Sequence, residues 1–442
     1  MMPEAVGLAD DKMGLQPSGL SLGEAHGSVR LRPGQPAWQR WLRFFGPGYI
    51  IAVGYMDPGN WATDLAGGSA YGYKLLFVVL LASVMAMVLQ ALSAWLGIAT
   101  GRDLAQLTRS AMSPGAAAVM WLGAQSAIIA CDVAEVIGGA IALNLLFHLP
   151  LLAGAVLTIF DAFLVLLLLN RGVRLLEAAV IGLCTVIAMA LLSEIILAQP
   201  AIAPIALGLL PHTDLITNPG MLYIGVGIIG ATVMPHNLYL HSALVQTREI
   251  GGSDAAKRDA IFLALIDSCA ALVFAFLVNA AILVMAGSIF HAHGDTGVQD
   301  LGSAFALLTP ILGSHIAPIV FAVALLGSGL NATVTGTLAG QVVMEGLLRI
   351  KLPMAARRLL TRGLAVLPVL GVLLVAGRHG VNNLLVLSQV ILSLQLPFAM
   401  LPLMYFIRRL GSLRPPPWFS GAGWAVSGLI LVFNAALLWT LI

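Results

Sequence analysis

Four side chains in this 442-residue sequence have the chemistry of a cation site. Asp57-Pro58-Gly59-Asn60 supplies a carboxylate and an amide oxygen, Met234-Pro235-His236-Asn237 supplies a thioether, and Gln389 offers a further amide. Carboxylate and amide oxygens accept any divalent cation, magnesium and calcium included. A thioether sulfur moves the preference towards manganese, iron or cobalt. Met234 is therefore expected to discriminate against magnesium and calcium, the alternative being that it only fills a core.

The elements that hold these residues follow from composition. Hydrophobic residues make up 59% of the chain and charged residues 10%, too few charges to cover a water-soluble globule. This indicates a polytopic membrane protein and excludes nucleic-acid binding, a secreted disulfide scaffold and intrinsic disorder. Cys131, Cys184 and Cys269 lack zinc spacing. Residues 1–40 read as a flexible cytoplasmic tail, and 41–442 as a transmembrane domain. Apolar runs long enough to span a bilayer fall at about 45–70, 74–99, 115–147, 150–170, 175–198, 221–246, 260–287, 314–347, 358–377, 381–407 and 420–441. With the N-terminus inside, all Lys and Arg except Lys74 and Arg378 lie on the cytoplasmic side, as the positive-inside rule requires for eleven spans with the C-terminus outside.

Pro58 and Pro235 interrupt the first and sixth spans in matching contexts. Five spans separate them, so the second copy crosses the membrane in the opposite sense. The expected architecture is all-α, a five-plus-five inverted repeat (repeat one about 45–198, repeat two about 221–407) with an extra helix at about 420–441. Each break should leave carbonyls such as those of Asp57 and Ala231 without helical partners, tolerable in a bilayer only beside protein, water or a ligand. The competing reading is a pair of proline kinks used for packing. An aspartate at mid-bilayer costs about 2.5–3.5 kcal/mol on insertion scales, so Asp57 is a functional candidate by default.

Gly46-Pro47-Gly48, Gly54 through Asn60, Gly230 through Asn237 continuing to Leu244, and Gly336 through Gln341 resemble the natural resistance-associated macrophage protein (Nramp) family over roughly residues 45–410. The resemblance implies a LeuT-type fold and proton-coupled uptake of manganese, iron and related divalent metals such as cobalt and cadmium at the cell membrane. It implies metal ligation by Asp57, Asn60, the Ala231 carbonyl, Met234 and, in some conformations, Gln389. It needs no cofactor beyond the transported metal and protons, no nucleic acid, and no partner subunit.

Coupling requires titratable groups near the site. Asp132 and Glu135 lie one helical turn apart on the third span, and His236 is the side chain most easily switched near neutral pH. The resemblance adds Arg357 and Arg358, so that Asp57, His236, Asp132, Glu135 and this arginine pair form the expected proton route; a structural ion-pair network is the alternative for the acids. Asn237 and His241 are expected behind the ligands. The family commonly carries an acid where this chain has Gln125, which cannot titrate, so the proton network is expected to be shorter here. Asp161 and Asp267 are open between buried pairing and lining a vestibule, and Asn331, Thr333, Thr335 and Thr337 read as helix-packing residues. His291 and His293 with Asp295 read as a solvated loop. No nucleophile and base pairing suggests an enzyme, and no phosphate-binding GxxxxGK[ST] motif occurs. The rival functions are a sodium-coupled organic-solute symporter on the same fold and a metal channel or sensor without coupling.

Overall fold

The computed structural model describes residues 22, 26–30, 36–296, 301–312 and 316–441. Strand β1 (Val29–Arg30) and helix α1 (Ala37–Phe44) precede the first broken pair, α2 (Pro47–Gly54) and α3 (Pro58–Tyr71). Then come α4 (Leu76–Thr100), α5 (Leu104–Ala111), α6 (Pro114–Phe147), α7 (Leu151–Leu157), α8 (Asp161–Asn170), α9 (Val173–Ala198), and the short α10 (Ile202–Gly208) and α11 (Asp214–Thr217). The second broken pair is α12 (Pro219–Thr232) and α13 (Pro235–Leu244). Strand β2 (Arg248–Glu249), α14 (Asp254–Ile289), α15 (Leu301–Leu312), α16 (Ala317–Val343), α17 (Met354–Ile407) and α18 (Pro417–Leu441) complete the chain.

Nine helices among the described residues are long and apolar enough to cross a membrane. The expected first and fourth spans are the interrupted ones, α2 with α3 and the α7–α8 stretch, so the count is compatible with eleven. The ninth and tenth spans run together as α17, turned at Gly377. Its φ of 63° is accessible to glycine at little cost, which is why the polar break expected there is a kink rather than a loop. Of the most apolar stretch of Pro219–Thr247, 94% is buried against protein, compared with 28% for Pro417–Trp439. The second broken pair therefore lies at the centre of the bundle and α18 at its rim. Around this centre α6 packs on α16 and α17, and α14 packs on α2, α3 and α4.

The two breaks have local causes. Asp57 and Met234 are extended, with ψ of 167° and 126°, and each is followed by a proline at the first helical position. Proline tolerates that position because its missing N–H has no helical partner there. The Asp57 carboxylate caps α3, accepting from the Asn60 backbone N–H. One expectation needs correction: the Asp57 carbonyl is not left over, because it accepts from Trp61 N at 3.2 Å within α3. At the first break the carbonyls bonded from outside are those of Tyr55 and Met56, which take Asn279 Nδ2 and the Ser328 hydroxyl; at the second, the Ala231 carbonyl takes Asn60 Nδ2.

The tail is not free throughout. Most of residues 1–40 lie outside the described set, but Leu22 is buried and donates its N–H to Glu345 at 3.1 Å. Gly27 donates to the Gln246 carbonyl, and β1 pairs in parallel with β2. Beside this pairing, Asp267 accepts from the N–H groups of Gly46 and Gly48 at 3.2 and 2.7 Å. Arg248 donates to the carbonyls of Phe44 and Phe45, and Arg174 to those of Leu42 and Phe45. Glu177 joins the two arginines at 2.7 and 2.8 Å. Thus the start of α2 is fastened to α9, β2 and α14. For Asp267 this resolves the open choice in favour of a buried pairing role.

Candidate functional site

The five expected ligand residues are all buried, at 0–1% exposure. Asn60 donates to Asp57 Oδ1 twice, from its backbone N–H and from Nδ2, both at 2.8 Å. The same Nδ2 donates to the Ala231 carbonyl at 3.2 Å, spanning the two breaks. Asn60 Oδ1 in turn accepts from Asn279 Nδ2 at 3.3 Å. Asn237 Nδ2 lies 3.8 Å from Met234 Sδ. Gln389 from α17 packs against Gly59, where a β-carbon would clash with its amide, and its Oε1 has no hydrogen-bond partner. These groups arise from α3, α12, α13 and α17, so no single element builds the site.

Asp57 connects to a second polar cluster through Cys131. The Cys131 sulfur is 3.8 Å from Asp57 Oδ2 and 3.7 Å from Glu135 Oε1. Arg358 Nη1 donates to both oxygens of Asp132, at 2.6 and 2.9 Å, and Nη2 reaches Glu135 at 3.2 Å. Arg362 donates to Glu135 at 2.5 Å and also to Asp161. Thr333 contacts Glu135 Oε2 at 3.0 Å and Asp161 Oδ2 at 3.1 Å. Three carboxylates and two guanidiniums thus form one buried network. Removing one member would strand its partners' charge in low dielectric.

The two arginines of the expected pair make different contacts. Arg358 joins the acids, but Arg357 donates to the Thr337 carbonyl at 2.6 Å, along α16. Arg362, one turn beyond Arg358 on the same face, also pairs with the acids. Asp161 is a paired member of this network, and Thr333 belongs to it rather than serving only as a packing residue. His236 is buried, with neither ring nitrogen hydrogen-bonded. His241 Nδ1 is 3.0 Å from Gln90 Oε1, and its Nε2 is 3.3 Å from the Ser268 hydroxyl, which places it away from the ligand set. Gln125 is buried with no partner on either amide atom, outside the acid network. His291 and His293 each place Nδ1 against a backbone carbonyl, of Ser69 and Ile289. Among the described residues no group of three or more His, Cys, Asp or Glu side chains is placed to hold a metal.

The family model described as natural resistance-associated macrophage protein-like matches residues 48–440. The chain belongs to the Nramp family. The divalent metal cation transporter MntH of Bradyrhizobium diazoefficiens is 54% identical over 425 residues, covering 96% of this chain and 94% of that protein. Its counterpart in Xanthomonas campestris is 53% identical over 442 residues, covering 99% of both. A crystal structure of a mutant of the Eremococcus coleocola manganese transporter is similar with a TM-score of 0.87 at 38% identity, covering 94% of this chain and 90% of that one. Mhp1, a nucleobase-cation-symport-1 family transporter, has a TM-score of 0.62 at 14% identity, over 96% of this chain and 95% of that one, which shows the shared LeuT-type fold alone. This Nramp chain is accordingly a multi-pass membrane transporter of metal ions, not an enzyme. Three polar residues of the core were not foreseen from the sequence: Arg362, four residues after Arg358, and Cys131, four before Glu135, carried a signal in helical spacing, whereas Asn279, a lone amide on α14, carried none.

Proposed function

We propose that this Nramp chain imports divalent transition metals, manganese and iron foremost, into the cytoplasm together with protons, by alternating access to the site between the two breaks. One observation carries the reading: Asn60 Nδ2 bridges Asp57 Oδ1 and the Ala231 carbonyl, so oxygens from both broken helices already converge on one positively polarised donor. A cation arriving there replaces that donor and takes the same two oxygens. Met234 and Gln389 add a soft sulfur and an amide oxygen with no protein donor of its own. The sulfur biases the set towards transition metals, while one carboxylate balances only half of the ion's charge.

Proton movement is assigned to the titratable groups around Asp57, which Cys131 links to Glu135. Asp57, His236, Asp132 and Glu135 form the route towards the cytoplasm, with Arg358 and Arg362 holding the acids in place. Closely spaced acids share their protons and titrate as a pair, which suits a relay. The reading places the N-terminus in the cytoplasm and the C-terminus outside, with the monomer as the working unit.

The test is uptake of radioactive manganese into proteoliposomes carrying an internal pH dye, with iron, cadmium, magnesium and calcium as competitors. Expected are saturable uptake stimulated by external acid, internal acidification, and competition by iron and cadmium only. Asp57→Asn should abolish uptake, whereas Asp132→Asn should retain manganese binding and lose acidification. Uptake that requires sodium and ignores pH would replace this reading with the organic-solute symporter, and flux that does not saturate would favour a channel.

A further inference from the structure

Asp64 is a buried acid that the site described above does not use. It is 1% exposed, and its Oδ2 has no hydrogen-bond partner. A buried acceptor without a donor is costly, and an unpaired charge more so, which makes an isolated intramembrane carboxylate a functional candidate.

Its position is informative. Asp57, Asn60 and Asp64 stand at i, i+3 and i+7 of the α3 turn, so they form one stripe along the helix. At 1.5 Å per residue, Asp64 lies about 10 Å from Asp57 towards the end of α3 that leads to Lys74. On its inner side, Asn60 touches Ala231 of α12 and Asn279 of α14. On its outer side, Gly68 abuts Leu283 and Ala286 of α14, while Gly67 faces Ile228 of α12. Asp64 is therefore set where α3, α12 and α14 meet, and the neighbours on its outer side are aliphatic. Asn279 Oδ1, at the inner edge of the same seam, is also buried without a partner. Two oxygen acceptors with no protein donor along one seam, in line with Asp57, are what a passing cation can satisfy and a packed apolar interface cannot.

We propose that Asp64 is an outer station for the transported divalent cation, holding it briefly and passing it along the stripe to Asn60 and Asp57. The proposal rests on the reading of this chain as a divalent-metal importer. With only oxygen donors the station is weak and does not distinguish manganese from calcium; discrimination falls to Met234 deeper in the path.

The test uses the full-length protein in lipid nanodiscs titrated with manganese chloride, with free manganese read by electron paramagnetic resonance. Asp57→Asn, which disables the inner site, should retain a weak manganese site, and Asp57→Asn/Asp64→Asn should lose it. In proteoliposomes Asp64→Asn should raise the apparent KM for manganese about 3–10-fold at unchanged maximal rate, as expected when a focusing charge leaves an entry path. Asp64→Glu should restore most of the loss, which also separates a lost station from a folding defect. Residual binding that is the same with and without Asp64, or an unchanged KM in Asp64→Asn, overturns the proposal. So does a reduced maximal rate at unchanged KM, which would assign Asp64 to the movement of α3. Wild-type protein that transports no manganese would instead sink the import reading itself.

Discussion

Arg362 lies 2.5 Å from Glu135, while Arg357, adjacent to the other arginine of the cluster, points to a backbone carbonyl of α16. The difference matters energetically. Arg362 pairs with three carboxylates, the buried Glu135 and Asp132 and the part-buried Asp161, whereas Arg357 makes one charge-assisted hydrogen bond to Thr337.

Breaking a buried ion pair by removing one partner costs about 3–5 kcal/mol, and losing one hydrogen bond from a charged group costs about 1.5–3 kcal/mol. Arg362→Gln should therefore lower the thermal midpoint of the purified protein more than Arg357→Gln does. Size-exclusion profiles after heating, read by tryptophan fluorescence, check this. Equal losses would remove the distinction between the two arginines.

Met234 supplies the only sulfur that the proposed ligand set contains. Met234→Ala should keep measurable manganese transport but lose discrimination, so that calcium and magnesium become effective competitors. Competition curves on reconstituted protein measure it. Manganese uptake and exclusion of both alkaline-earth ions that match wild type would show that the sulfur only packs.

Glu177 holds Arg174 and Arg248 together, and those arginines grip the carbonyls that precede α2. Glu177→Gln should loosen this fastening and shift the population towards a state open at this end of the bundle. In a cysteine-free background, Tyr49→Cys should then react faster with a membrane-impermeant maleimide added from that side of the membrane. Unchanged labelling would mean that the two arginines and Asp267 hold the start of α2 without Glu177.

At the surface, Lys74 donates to Asp214 at 2.6 Å, and this hydrogen bond with the nearby positive charge holds the Asp214 carboxyl below its usual value of 3.8. A depressed folded-state value means that any stabilisation is present above the unfolded carboxylate range and is lost as pH falls through the folded value. Both partners are half exposed, and such pairs contribute little. Thermal midpoints of wild type and Asp214→Asn should differ slightly at neutral pH and converge in acid. A difference that grew with acidification would contradict the sign.

The spans were legible because a membrane helix announces itself by apolar length, and the two breaks because proline removes a donor at a fixed place. Asp57, Asn60, the Ala231 carbonyl and Gln389 could be named in advance, and the fold brings them together. What escaped depends on long-range geometry. Which arginine reaches Glu135 turns on how α17 rotates against α6, and adjacent residues such as Arg357 and Arg358 face different ways. The docking of Leu22 on Glu345 beyond α16 and of Val29 on β2 was hidden because a two-residue strand pairing leaves no periodicity in a polar tail. Asp64 lies beyond the proline signature that marks the break, although its spacing from Asp57 puts the two on one stripe.

Gly59 of α3 and Gly230 of α12 both press on Gln389, the first against its amide and the second against its backbone carbonyl. One residue of the tenth span is thus pinched from the two halves of the inverted repeat, with only hydrogen atoms for padding. A methyl group at either glycine would act as a spacer of known thickness. The turnover that survives it would gauge how much clearance opens there in each cycle.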